Sequence, residues 1–176
     1  MKYLLTIIIC LSFIHNANAE IMLYGEAKYN VQSAKNEISS NIQLNINPQQ
    51  FYQHILDKNY QENQSAILKG NLKLKDRQLA IFSNGAYGIT YNSDLYHAYY
   101  YSKQGLLEFV DIRRGIEYPY KSYQYNVNGE LKNMGLRVSK NETYIFSTYG
   151  NLLAHWINEN GYNEKGEIIL KRKYYE

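Results

Sequence analysis

Between Tyr99 and Ile168 one short pattern returns four times: Tyr-x-aromatic-x-x-x-Gly-x-aliphatic. The copies are Tyr99, Tyr101, Gly105, Leu107; Tyr123, Tyr125, Gly129, Leu131; Tyr144, Phe146, Gly150, Leu152; and a variant, Asn160, Tyr162, Gly166, Ile168. Residues two apart on a strand share a face, so the two aromatics of each copy point the same way. Three turn-type residues follow them: Ser102-Lys103-Gln104, Asn126-Val127-Asn128, Ser147-Thr148-Tyr149 and Asn163-Glu164-Lys165. A short loop built on a type I turn ends in a residue of positive φ, which glycine adopts without steric cost, and a bulge then starts the returning strand. Each copy therefore predicts a β-hairpin. The frame continues upstream as Leu79, Ile81, Gly85, Tyr87, Ile89, and, with the glycine lost, as Ile89, Tyr91, Leu95, His97. The turn glycines are thus Gly85, Gly105, Gly129, Gly150 and Gly166. Their spacing is uneven, which predicts a meander of unequal hairpins rather than a solenoid.

The run Tyr123-Gln-Tyr125-Asn-Val-Asn-Gly129-Glu-Leu131 resembles the tyrosine-aspartate (YD) repeat of large secreted bacterial shell proteins. It is also similar to the MORN-type variant repeat of small bacterial proteins, some of them antitoxins. The resemblance covers about half of the chain after its first segment. It implies repeated hairpins and supplies no catalytic residue.

The first segment, 1–19, reads as a secretory signal peptide. Lys2 gives a positive start, Tyr3 to Ile14 is an apolar run too short to span a bilayer, and Ala17-Asn18-Ala19 is an Ala-x-Ala cleavage signal. The mature protein would begin at Glu20 and be periplasmic or secreted, with no membrane span after cleavage. The single cysteine, Cys10, falls in the signal segment, so the mature chain has no disulfide, thiolate nucleophile or cysteine-based metal site. A formal net charge of +3, reduced by the loss of Lys2, argues against bulk nucleic-acid binding.

Residues 20–65 read as a helical segment belonging to the same domain as the repeat region, 66–176. Tyr24, Ala27, Val31, Ala34 and Ile38 recur at helical spacing. Asn47-Pro48 reads as an N-cap and first helical position, opening a helix with Phe51, Tyr52, Ile55 and Leu56 on one face. Gln61 to Ser65 reads as a polar link, and Leu68, Leu72 and Leu74 as one face of a first strand. The expected fold is α+β and mainly β: two N-terminal helices, then an antiparallel β-meander of aromatic hairpins, nine or ten strands that curl beneath the helices.

No catalytic motif is present. There is no Gly-x-Ser-x-Gly elbow and no phosphate loop, and His54, His97 and His155 do not pair at metal-ligand spacing. Asp94, Glu108, Asp111 and Glu117 lie near one another in sequence, with Glu108 read as solvent-facing, off the Leu107 and Phe109 face. The unusual feature is the 20 tyrosines. Tyr99, Tyr101, Tyr123, Tyr125 and Tyr144 form one parity set, and a sheet exposing such a row could stack on sugars or accept a partner's side chains. Tyr100, Tyr118, Tyr120 and Trp156 belong to the other face or to loops. These residues point to a non-catalytic exported binding protein of the cell envelope, needing no cofactor, whose tyrosine face takes an unidentified protein or envelope glycan. The alternatives are an antitoxin-like inhibitor of a toxin and an envelope-polymer hydrolase.

Overall fold

The computed structural model describes residues 29–39 and 42–174. The expected signal segment, Cys10, and the Tyr24 and Ala27 positions of the expected first helix lie outside the described residues. Helix α1 spans Val31–Ile38 and is opened by a capping box: Asn30 Oδ1 accepts from the Ser33 N–H, and Ser33 Oγ accepts from the Asn30 N–H. A 3-10 helix follows at Pro48–His54, with Asn47 capping the Gln49 N–H. Helix α2 spans Tyr60–Leu68.

Ten strands then run β1 (Arg77–Phe82), β2 (Tyr87–Tyr91), β3 (Asp94–Tyr101), β4 (Leu107–Arg113), β5 (Tyr120–Asn126), β6 (Leu131–Arg137), β7 (Glu142–Ser147), β8 (Leu152–Ile157), β9 (Asn160–Tyr162) and β10 (Ile168–Tyr174). Each pairs antiparallel with its neighbour in the chain, and β10 pairs with β1 through Ala80↔Tyr174, Ile81↔Lys173 and Phe82↔Arg172. The sheet does more than curl: it closes into a barrel, which removes both edges.

The glycine turns all lie at one end of this barrel. Gly85, Gly105, Gly129, Gly150 and Gly166 have φ between 77° and 86°. In four of the five the residue opening the turn caps it through its side chain; the Gly85 turn opens on Phe82. Asn126 Oδ1 accepts from the Asn128 and Glu130 N–H groups, Asn163 Oδ1 from those of Lys165 and Glu167, and Ser102 Oγ from those of Gln104 and Leu106. A bulge follows four of the five turns, one residue past the aliphatic position: Tyr101 faces Leu107 but Tyr100 faces Phe109. Leu107 and Phe109 therefore point to opposite sides of the sheet. Glu108 is solvent-exposed because it is the bulge residue, not because it alternates with those two.

The helical segment differs from expectation in three places. Gln61 to Ser65 is no link but the body of α2. Of the four residues expected on one helical face, Phe51 alone is buried, while Tyr52, Ile55 and Leu56 are exposed. A 3-10 helix has three residues per turn, so the i, i+1, i+4, i+5 set of an α-helix does not form one stripe. Leu68 ends α2 and is 87% exposed, whereas Leu72 lies in the core ahead of β1.

Residues 29–39 and 42–74 wrap the outside of the barrel over the tyrosine face. Ala34, Ile38, Phe51, Ala66 and Leu72 share one apolar cluster with Leu79, Ile89, Val110, Met134, Leu136 and the tyrosines. The wrap is also stitched by backbone hydrogen bonds at two equivalent turns. The Ile46 N–H donates to the Gly129 carbonyl and the Leu131 N–H to the Leu44 carbonyl, each at 2.9 Å; Asp57 N–H to Gly105 and Leu107 N–H to Ile55 repeat the pair.

Beneath the wrap His155 is fully buried, 2.8 Å from Glu142 Oε1, and its Nδ1 lacks a protein partner. Burial pushes its pKa down, outweighing the pull of Glu142, so the pair is a neutral imidazole donating Nε2–H to a carboxylate. The unfolded chain protonates this ring near 6.5 and the folded chain only below that. Its contribution to stability is therefore complete above 6.5 and declines as pH falls from there toward the lowered folded value. The half-buried His54 is lowered in the same sense. Urea midpoints measured from about pH 7 down to about pH 5 should fall, and His155→Gln should flatten that decline without abolishing it.

Candidate ligand cavity

The five tyrosines expected to form an exposed platform are buried. Tyr99 is 7% exposed, Tyr101 1%, Tyr123 3%, Tyr125 1% and Tyr144 0%. They share a face, as period-two alternation requires, but that face carries the wrap. The Tyr125 hydroxyl donates to the Gln43 carbonyl, and the Tyr144 hydroxyl lies 3.0 Å from the Tyr29 carbonyl and 2.9 Å from Glu142 Oε1. Tyr99 stacks under His54 with ring centroids 3.9 Å apart. The rings fasten the barrel to its own N-terminal segment and offer no free row.

Alternation sends the other parity into the barrel, and this set lines a cavity. Two connected spaces, of about 380 and 220 Å3, share a waist formed by Phe82, Tyr100, Arg113, Tyr120, Arg137 and Arg172. The larger opens at the end carrying Leu95, Ile116, Tyr118 and Lys140. The smaller lies toward the glycine-turn end, bounded by Phe109, Asp111, Ser122, Gln124, Thr143 and Trp156 among others.

Strand glycines keep this lumen hollow. A Cβ at Gly88 would lie 2.9 Å from the Tyr100 ring, and one at Gly161 would lie 3.1 Å from Trp156. Both rings can thus lie flat across a neighbouring strand instead of standing into the centre. Their inner faces are covered too. Tyr100 stacks on Phe109 at 4.5 Å, and the Arg172 guanidinium sits 4.5 Å above Trp156.

The charge inside is unbalanced. Arg113, Arg137 and Arg172 line the waist, and Asp111 is the one acidic side chain lining either space among the described residues. Arg113 Nε is 3.8 Å from Asp111 Oδ2, while its Nη atoms donate to the Leu95 carbonyl and Thr90 Oγ1. Arg137 donates to the Lys140 carbonyl at 2.9 Å. Arg172 Nη2 is buried without a protein acceptor. Burial, and next the positive charge of Arg137, push Arg172 below the ordinary guanidinium value, yet guanidinium remains charged at any physiological pH. Burial also raises the Asp111 carboxyl, against Arg113, and pushes the Tyr100 hydroxyl up to about 12. A desolvated cation without a counter-charge is costly, so an anion entering the waist would recover free energy the empty barrel forgoes.

The acidic residues singled out in the sequence are not brought together. Asp94 bonds His97 at the surface, Glu108 and Glu117 face solvent, and only Asp111 enters the lumen. The arginines were not singled out, although Arg113, Arg137 and Arg172 each lie at the lumen parity of a strand the repeat predicts. In comparisons with known proteins, no family model, curated protein or solved structure matches this chain.

Proposed function

We propose that this chain is an exported binding protein of the cell envelope, and that its ligand is a small organic anion held inside the barrel at Arg113, Arg137 and Arg172. The observation that carries this reading is the partnerless, buried Nη2 of Arg172 beside two further guanidinium groups in a lumen where Asp111 is the one acidic lining side chain among the described residues. The glycan expectation survives in altered form: an acidic fragment taken into the lumen, not a polymer laid on a tyrosine face. Strands of three to eight residues are shorter than the roughly 9–11 that cross a bilayer, and residues 29–39 and 42–74 pack on the outside of the barrel. Both features support a cavity serving an aqueous compartment rather than a membrane pore.

Trp156 is the only tryptophan and lies in the cavity wall, so its fluorescence reads occupancy directly. Titration with small carboxylates and phosphates should give a saturable change that neutral and cationic analogues do not. Arg172→Gln, checked for folding by near-ultraviolet circular dichroism, should weaken binding by about 10-fold or more, the scale of one lost charge-assisted hydrogen bond. Equal responses to anions and to their neutral analogues would overturn the reading.

A further inference from the structure

The smaller space holds a second set of groups that an anion alone would not use. Asp111 is 6% exposed and Thr143 7%, and Asp111 Oδ1 and Thr143 Oγ1 are buried with no protein partner. Both line the smaller space, together with Ser122 and Gln124. Gln124 Oε1 accepts from Asn133 Nδ2 at 3.0 Å, and the Ser122 and Gln124 side chains both approach the Asp111 carboxyl as donors, yet the buried Oδ1 of Asp111 stays without a close partner. Facing these are apolar walls of Phe109, Ile145 and Leu170. A buried carboxylate oxygen and hydroxyl without partners are costly, and a ligand donor satisfies them.

The charge around Asp111 selects the kind of donor. Arg113 lies 3.8 Å from its carboxylate, and Arg137 and Arg172 border the same space. An ammonium group would meet net positive charge there, whereas a hydroxyl would not. Resting on the anion-binding reading, we infer that the ligand is a hydroxylated ring acid of the hexuronate kind. Its carboxylate lies at the arginine waist, its ring hydroxyls donate to Asp111 and Thr143, and its less polar face lies against the apolar walls.

Three probes of similar ring size separate the possibilities: glucuronate, cyclohexanecarboxylate and glucosamine, each titrated into the full mature chain by Trp156 fluorescence and calorimetry. Glucuronate should bind about 10-fold or more tightly than cyclohexanecarboxylate, the scale of a hydrogen bond to a charged group, and glucosamine should not bind. Asp111→Asn keeps the shape but removes a charge that opposes any anion, so it should shrink the ratio of glucuronate to cyclohexanecarboxylate affinity several-fold, with cyclohexanecarboxylate bound as tightly as before or more so. Equal affinity for the two acids, or an unchanged preference in Asp111→Asn, would overturn the hydroxyl subsite and leave the anion site standing. Binding of neither acid, or tighter binding of glucosamine, would overturn both.

Discussion

Gly129→Ala is expected to destabilise the fold by about 3 kcal/mol, and Gly166→Ala by only about 1 kcal/mol. Both glycines end an equivalent hairpin turn with nearly the same backbone, φ 78° and 77°. The left-handed conformation charges any L-residue about 1–2 kcal/mol, and that cost is common to the two variants. Their surroundings differ. A Cβ at Gly166 would meet nothing within 4 Å, whereas one at Gly129 would overlap the Ile46 carbonyl oxygen and crowd the Pro48 nitrogen at 3.4 Å. Those atoms are backbone and cannot rotate away as a side chain would. Relief would require Leu44 to Pro48 to lift from the turn, breaking the Ile46-to-Gly129 and Leu131-to-Leu44 hydrogen bonds. Urea unfolding of the two variants measures the difference. Equal losses would mean that the N-terminal wrap does not press on the turn in solution.

The same turn shows what the sequence could and could not disclose. Tyr-x-aromatic-x-x-x-Gly-x-aliphatic specifies a hairpin through local chemistry: a side-chain cap at Ser or Asn, a glycine of positive φ, and two rings on one face. Those constraints act within nine residues, and the five pairings across the glycine turns follow from them. What lies across each face is a long-range matter. Period two puts Tyr99, Tyr101, Tyr123, Tyr125 and Tyr144 together but is silent on whether water or chain covers them. The cover comes from residues whose helical signals are weak, since a 3-10 turn at Pro48–His54 and an α2 rich in Gln and Asn leave little apolar periodicity. Closure between β1 and β10 has no local signature, and closure is what turns the second parity set into a lumen. Arg113, Arg137 and Arg172 alternate like ordinary solvent-facing cations in an open sheet. A usable signal was present in Gly88, Gly135 and Gly161: glycine inside a strand weakens it and marks close approach of another group.

Asp57→Ala is expected to cost about 3–5 kcal/mol, the range for removing one member of a buried charged network. Asp57 sits between the 3-10 helix and α2. Its Oδ1 accepts from the Asn59 N–H at 2.9 Å; its Oδ2 accepts from Asn63 Nδ2 at 2.8 Å and from the Tyr87 hydroxyl at 2.6 Å. Asn63 is fully buried and passes the chain of bonds on, its Oδ1 accepting from Arg77 Nε at 2.8 Å. Burial, reinforced by the bond to Asp57, raises the Tyr87 pKa, so this hydroxyl remains a donor and requires an acceptor. Alanine would leave the Tyr87 hydroxyl and the Asn63 amide buried without one, and the small space vacated admits no rearrangement of strand β2 to supply it. Tyr87→Phe removes a donor and orphans only one lone pair of a carboxylate still bonded twice, so it should cost about 1 kcal/mol. The double variant tests the coupling. If the Tyr87 hydroxyl is what suffers in Asp57→Ala, adding Tyr87→Phe should restore part of the loss, giving an interaction energy of about 1 kcal/mol or more. Strict additivity would mean that α2 is held to the barrel by Phe51, Ala66 and Leu72 packing alone, with the polar bridge along β1 and β2 contributing nothing of its own.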